Sequence, residues 1–170
     1  MNYIKISKND TANGTGIGVV LWVSGCNCRC HGCHNPQTWD FSAGQTFTEN
    51  TMQELLLDLT KPYISHLTIS GGHPLDPLNA PEVLKIVKRV KMVFPDKAIW
   101  IYSGYVWENI IKDEMLRQIM AYTDVLVDGP YIDKLRDISI PFAGSSNQRL
   151  ICAKQSLATN QIILWNEEMV

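Results

Sequence analysis

Four of the five cysteines crowd into one short stretch near the start of the chain, GCNCRCHGCHNPQTWD. Cys26, Cys30 and Cys33 have the spacing C-x3-C-x2-C, and Cys28 lies between the first two. Thiolates are soft ligands for zinc and for iron–sulfur clusters. The fifth cysteine, Cys152, lies in a distant apolar run and is predicted to be a small buried residue. The total of five cysteines is odd, and four of them are too crowded to staple distant parts of a fold, which favours a metal centre over disulfides.

The spacing alone leaves the kind of centre open. Zinc takes four tetrahedral ligands, so Cys26, Cys30, Cys33 and one histidine would suffice for a zinc-binding interaction module. A cubic 4Fe-4S cluster also needs four ligands, and three thiolates would leave one iron free to bind a substrate. A third class, a thiol-based redox protein, would need a reactive pair such as Cys30 and Cys33 without bound iron.

Length and composition predict one globular domain over residues 1–170. Hydrophobic residues make up 45% and charged residues 19% of the chain, with a net charge of −2. A nucleic-acid partner or an acidic membrane surface would need a clustered basic excess, which the sequence lacks. The N-terminus has no signal-peptide core, and no apolar run approaches the roughly 20 residues that span a bilayer. We therefore expect a cytoplasmic protein.

Strand and helix patterns alternate along the chain, which predicts an α/β fold. Strands are predicted at IGVVLWV, HLTIS, IWIY and DVLVD, with weaker candidates at RLICA and IILW, and helices at Thr51 to Leu59, after Asn79, and at VWENIIKDEMLRQIM. The chain is shorter than the roughly 250 residues of a closed eight-unit barrel. We expect an open, partial (β/α) barrel with a mostly parallel sheet of four to six strands.

Three unusual loops follow the first three predicted strands. The cysteine loop follows the first strand, SGGHP follows the second, and SGY follows the third. Ligands of parallel α/β sheets bind beyond the carboxyl ends of the strands. The three loops are therefore expected to meet at one site, although Gly71 and Gly72 alone would also fit an ordinary strand-end turn.

The motif CNCRCHGC resembles that of the radical S-adenosylmethionine enzymes. Within that superfamily, the chain resembles the anaerobic ribonucleoside-triphosphate reductase-activating proteins. Five stretches carry this resemblance in order: VSGCNCRCHGCHNPQTW, LTISGGHPL, IWIYSGY, DVLVDGPY and GSSNQRL. The ordered set is far more specific than any one of them.

The resemblance implies which residues hold the cofactors. Cys26, Cys30 and Cys33 would bind a 4Fe-4S cluster, whose open iron would chelate the amino and carboxylate groups of S-adenosylmethionine. The residues that would line the cofactor pocket are Gly32, Cys33, His34, Gly71, Gly72, His73 and Ser103. Cys28 lies outside the motif and receives no ligand role.

The same resemblance implies an activating enzyme. A low-potential donor such as a flavodoxin or ferredoxin would reduce the cluster, and S-adenosylmethionine would yield methionine and a 5′-deoxyadenosyl radical. That radical would remove hydrogen from a glycine of the large anaerobic (class III) ribonucleotide reductase. The cofactor performs the difficult chemistry while the protein positions it.

Two positions depart from the family pattern. His73 stands where the family has an acidic residue that helps to bind the cofactor ammonium, and Asp76 in the same loop is a candidate substitute. His34 stands where this branch often has an aromatic residue, and CHNPQTWD is similar to the pyruvate formate-lyase activating enzymes. An activase of that kind is the alternative within the class, while the short chain and GSSNQR favour the reductase.

Overall fold

The computed structural model describes residues 1–166, which form one seven-stranded sheet flanked by helices. The strands are β1 (Asn2–Asp10), β2 (Gly18–Val23), β3 (Gln45–Thr46), β4 (His66–Gly71), β5 (Ala98–Tyr102), β6 (Val125–Asp128) and β7 (Arg149–Cys152). Their order in the sheet is β3-β1-β2-β4-β5-β6-β7. The α/β class predicted from the sequence is confirmed.

The middle of the sheet is parallel and its margins are antiparallel. Strands β2, β4, β5 and β6 pair in parallel, whereas β1 pairs with β2 and β3, and β7 pairs with β6, in antiparallel fashion. The expected count of four to six strands is too low because β1 and the short β3 were not predicted. The strand expected at IILW is also wrong, since Leu164 makes only an isolated bridge to Ile151.

Five helices accompany the strands in the described part of the chain. They are α1 (Glu49–Leu59), α2 (Ala80–Val93), α3 (Trp107–Ile110), α4 (Glu114–Met120) and α5 (Ala153–Thr159). Helix α1 begins earlier than predicted because Thr48 and Thr51 form its capping box. The third predicted helix is two helices, because the Asp113 side chain accepts a hydrogen bond from the Leu116 amide and starts α4.

The two faces of the sheet carry different cores. On one face, Leu21, Ile69 and Ile101 belong to a large apolar cluster with side chains of α1, α2 and α4. On the other face, Trp100 packs against Phe142 and Trp165 at ring-centroid distances of 5.1 Å each. Burial on both faces explains the near-continuous apolar runs of the central strands.

Within residues 1–166, no helix has the length and apolar character needed to cross a lipid bilayer.

Candidate metal centre

The loop after β4 packs directly on the start of the cysteine loop. The Gly72 amide donates to the Val23 carbonyl oxygen and the His73 amide donates to the Gly25 carbonyl oxygen, each at 2.8 Å. Gly71 has a φ of 99°, and a Cβ atom on Gly72 would lie 2.6 Å from the Gly25 oxygen. This close approach requires glycine, so the Gly-Gly pair does more than end a strand.

Asn79 joins the two loops from beneath. Its buried side-chain amide donates to the carbonyl oxygens of Ser24, Gly25 and His73 at 2.9, 3.3 and 3.0 Å. Asn79 lies at the N-cap position of α2, as predicted, but its side chain makes no capping bond to the helix. The amide instead donates to carbonyl groups of both loops, including the Gly25 oxygen that also accepts from the His73 amide.

The cysteine loop presents half-buried thiols, none of them in a disulfide. The backbone amide of Asn35 donates to Cys33 Sγ at 3.4 Å. Burial raises the pKa of Cys30, and the nearby backbone of Tyr131 opposes that rise. Backbone donors of this kind tune iron–sulfur clusters, so the donor set and its surroundings fit such a cluster.

No three His, Cys, Asp or Glu side chains within residues 1–166 gather closely enough to hold a single metal ion. A cubic cluster does not require its ligands to converge on one ion, because each thiolate binds a separate iron.

Cys28 interacts with residues inside and outside the cysteine loop, although it is not part of the motif. Its side chain interacts with that of Cys26, which lowers the pKa of Cys26 to about 6 and raises the pKa of Cys28. Cys28 Sγ also lies 3.9 Å from Nδ1 of His73. The two residues that the sequence marked as unusual therefore contact each other.

His73 is buried beneath the cysteine loop. Its Nε2 lies 3.0 Å from Ser103 Oγ, which accepts a hydrogen bond from the Tyr105 amide at 2.9 Å. The His73 ring meets the Tyr105 ring edge-on, with centroids 4.2 Å apart. Burial lowers the pKa of His73 to about 4, so the imidazole is neutral at neutral pH.

Asp76 places a buried carboxylate beside the same loop. Its Oδ2 accepts from Asn27 Nδ2 at 3.0 Å, and its Oδ1 accepts from the Leu78 amide at 3.1 Å. Asp76 thus places a buried carboxylate in the same loop as His73. The sequence suggested this residue as a substitute for the acidic residue that the family has at position 73.

The predicted pocket residues fall into two groups. Gly71, Gly72, His73 and Ser103 lie together where β4 and β5 end, next to the start of the cysteine loop. Gly32 and His34 are exposed on the outer part of the loop, where the His34 ring lies 5.0 Å from that of Tyr131 and Gly32 approaches Asp133.

Sequence reasoning missed an ionic network beside the site. Arg149 donates through Nε to Oδ1 of the fully buried Asp128 at 3.0 Å and through Nη2 to its Oδ2. The same guanidinium binds both oxygens of Glu108, and the Trp107 amide donates to Asp128 Oδ2 at 2.7 Å. The sequence did contain a signal for this network, because the apolar run DVLVD ends in an acidic residue. Buried charged side chains are nearly always paired, so a cationic partner for Asp128 could have been expected.

This arrangement, a parallel sheet with a cysteine loop at the carboxyl ends of its strands, agrees with a family comparison. Residues 12–151 match the family described as a 4Fe-4S single cluster domain. The match covers most of the chain and includes every cysteine of the loop.

The chain is similar over most of its length to anaerobic ribonucleoside-triphosphate reductase-activating proteins. That of Enterobacteria phage T4 is 46% identical over 150 residues, covering 88% of this chain and 93% of the relative. Those of Haemophilus influenzae and Escherichia coli are 42% and 39% identical, each covering 87% of this chain and 96% of the relative. The chain belongs to this family, as the resemblance in its motifs predicted.

Proposed function

We propose that this protein is the activating enzyme that installs a glycyl radical on the large anaerobic ribonucleoside-triphosphate reductase. The relatives are named for activation of that reductase, at up to 46% identity, and the family match describes a 4Fe-4S domain. The observation that carries the proposal is the contact of the cysteine loop with the loops that follow β4 and β5.

In this proposal Cys26, Cys30 and Cys33 hold the cluster, and S-adenosylmethionine binds at its open iron. Together these groups supply one-electron cleavage of a carbon–sulfur bond and, from it, removal of a hydrogen atom from glycine. The amide of Asn35 donates to the sulfur of Cys33 and would stabilise its negative charge.

The remaining pocket residues provide a polar wall for the cofactor. Gly71, Gly72, His73 and Ser103 would line it, and the carboxylate of Asp76 lies in the same loop as His73. Gly32 and His34 contact the cofactor from the outer part of the loop. A low-potential donor such as a flavodoxin or ferredoxin supplies the electron.

We also propose that the sheet is the open, partial (β/α) barrel of a single radical S-adenosylmethionine domain. The support for this proposal is that side chains of α1, α2 and α4 all belong to one apolar cluster, which lies on a single face of the parallel strands. An uncovered side would give the backbone of a large protein access to the site.

Anaerobic reconstitution tests the cluster assignment. We expect a brown protein with about four irons and four sulfides per chain, because a cubic cluster has four irons, three of them bound by the motif thiolates and one left open. Ala at Cys26, Cys30 or Cys33 should abolish iron binding, whereas the matched control Cys28→Ser should retain it. Zinc without iron, or iron loss in Cys28→Ser as complete as in Cys30→Ala, would contradict the assignment.

Electron paramagnetic resonance tests the activity. The reduced protein, mixed with S-adenosylmethionine and the large reductase, should produce a glycyl radical signal on the reductase. Cofactor turnover without that signal would refute this partner. A signal on pyruvate formate-lyase instead would favour the alternative activase.

A further inference from the structure

We propose that Arg149 is a positioning residue for the cofactor pocket. It orients the buried carboxylate of Asp128, which holds the loop between β5 and α3, and that loop carries Ser103 into the pocket. This role rests on the proposed function in one respect, the place of Ser103 beside the cofactor. It gives the ionic network at the end of β6 a part in binding as well as in stability.

Two backbone hydrogen bonds fasten the β5–α3 loop, residues 103–106, to the end of β6. The Ser103 amide donates to the Val127 carbonyl oxygen at 2.9 Å, and the Gly129 amide donates to the Tyr105 carbonyl oxygen at 3.0 Å. These bonds hold the first part of the loop. Neither of them holds the point where the loop becomes α3.

A side chain supplies the third bond, at the start of α3. The Trp107 amide donates to Oδ2 of Asp128 at 2.7 Å, and Asp128 is fully buried. Val106, at the N-cap position of α3, makes no capping bond through its side chain. The Asp128 carboxylate therefore replaces the missing cap and binds one of the free amides of this four-residue helix.

Arg149 sets the orientation of that carboxylate. Its Nε donates to Oδ1 of Asp128 at 3.0 Å and its Nη2 donates to Oδ2, so the guanidinium binds both oxygens. The same group binds the two oxygens of Glu108, the residue after Trp107, at 3.0 and 2.9 Å. A lysine could supply the positive charge but not these pairs of contacts, because its ammonium lacks the planar fork of arginine.

The loop that is held in this way carries groups that face the proposed pocket. Ser103 Oγ lies 3.0 Å from His73 Nε2 and accepts from the Tyr105 amide, and the Tyr105 ring meets the His73 ring edge-on. A Cβ atom on Gly104 would lie 2.5 Å from Cys28 Sγ, so the same loop also packs closely on the cysteine loop. Loosening the start of α3 would therefore change where Ser103 and Tyr105 lie in the pocket.

Calorimetric titration of the loaded, anaerobic protein with S-adenosylmethionine tests this role. Arg149→Lys keeps a positive charge beside Asp128 but loses the fork, so it should weaken binding about tenfold, a loss typical of removing an orienting partner. Ser103→Ala should weaken binding as well. The double variant should lose less than the product of the two single effects, because Arg149 acts through the loop that carries Ser103.

Hydrogen exchange of the same loaded protein, without cofactor, gives a readout that does not depend on binding. Arg149→Lys should speed exchange of the Tyr105 and Trp107 amides, because the loop opens more often when the Asp128 carboxylate is less well oriented. Exchange of the amides of Ile99 to Ile101 in β5 should stay unchanged, which distinguishes a local effect on the loop from a general loss of stability.

Lys154→Met is the matched control for both measurements. Lys154 pairs with Asp124 just before β6, at the opposite end of that strand, at 2.7 Å. Asp124 resembles Asp128 in accepting a bond from a backbone amide, that of Ile99, at 2.7 Å. The control therefore disturbs a similar network away from the pocket, and it should leave cofactor affinity and exchange in the β5–α3 loop unchanged.

Unchanged affinity in Arg149→Lys, or losses that multiply fully in the double variant, would overturn the positioning role. Faster exchange throughout β5 and the loop alike would also overturn it, because it would show a general loss of stability. A loaded wild type that binds no S-adenosylmethionine refutes the proposed function together with this role. A wild type that binds the cofactor with an affinity indifferent to Arg149→Lys refutes the positioning role alone.

Discussion

His73 occupies a buried position in which both ring nitrogens face polar partners, Ser103 Oγ and Cys28 Sγ. The neutral ring brings no negative charge to a cofactor ammonium. A carboxylate at this position would add a charge-assisted hydrogen bond, worth roughly 1.5–3 kcal/mol. We predict that His73→Asp tightens S-adenosylmethionine binding by about one to two orders of magnitude. Calorimetry on the anaerobic, loaded protein measures this change.

Asp76 provides the matched control for that measurement. If its buried carboxylate already serves the ammonium, Asp76→Asn weakens binding and His73→Asp adds little. Unchanged or weaker binding in His73→Asp would contradict the prediction and assign the role to Asp76 alone.

Individual residues differ in how much of their role the sequence revealed. The spacing of Cys26, Cys30 and Cys33 predicted a metal centre because the three cysteines share one short loop. The contact between Cys28 and His73 joins residues 45 positions apart. It depends on how two loops pack and on the space at Gly104, which no local pattern encodes.

Asp128 connects three elements at the end of β6. Its carboxylate binds Arg149 at the start of β7 and the amide of Trp107 at the start of α3. Removing the arginine leaves a buried carboxylate without its cation, which typically costs 3–5 kcal/mol. We predict that Arg149→Met lowers the free energy of unfolding by about 3 kcal/mol in denaturant titrations.

Glu108 offers the control for this network, because it binds the same guanidinium but is half exposed. Glu108→Gln should cost less than about 1 kcal/mol, as exposed ion pairs do. Equal losses in Glu108→Gln and Arg149→Met would show that burial of Asp128 does not determine the stability of the network.

At the scale of elements, the strands with continuous apolar runs and the marginal strand β7 were predicted, whereas β1 and β3 were not. In β1 only Tyr3 is buried, so its pattern is weak, and its register depends on contacts with β2 such as the bond from Trp22 Nε1 to Ser7 Oγ. The break between α3 and α4 depends on one side-chain cap at Asp113, within an otherwise helical pattern.

The order of the strands bears on how the whole molecule unfolds. The sheet runs without interruption from the N-terminal β1 to β7, and the large apolar cluster extends from Tyr3 to Ala153. Every strand except β3 contributes a side chain to this cluster, so none of these six can leave the sheet without exposing part of a shared core. We propose on this basis that the chain is a single cooperative domain.

This proposal predicts one transition when the cluster-free protein unfolds in denaturant. Far-ultraviolet circular dichroism reports the helices and strands. Tryptophan fluorescence reports both apolar clusters, through Trp107 in one and Trp100 and Trp165 in the other, and should give the same midpoint. Arg149→Met should lower both midpoints equally, because β7 belongs to the same sheet as β2, the strand that precedes the cysteine loop. Two separate midpoints, or a variant that shifts only one of them, would divide the chain into independent units and contradict the single domain.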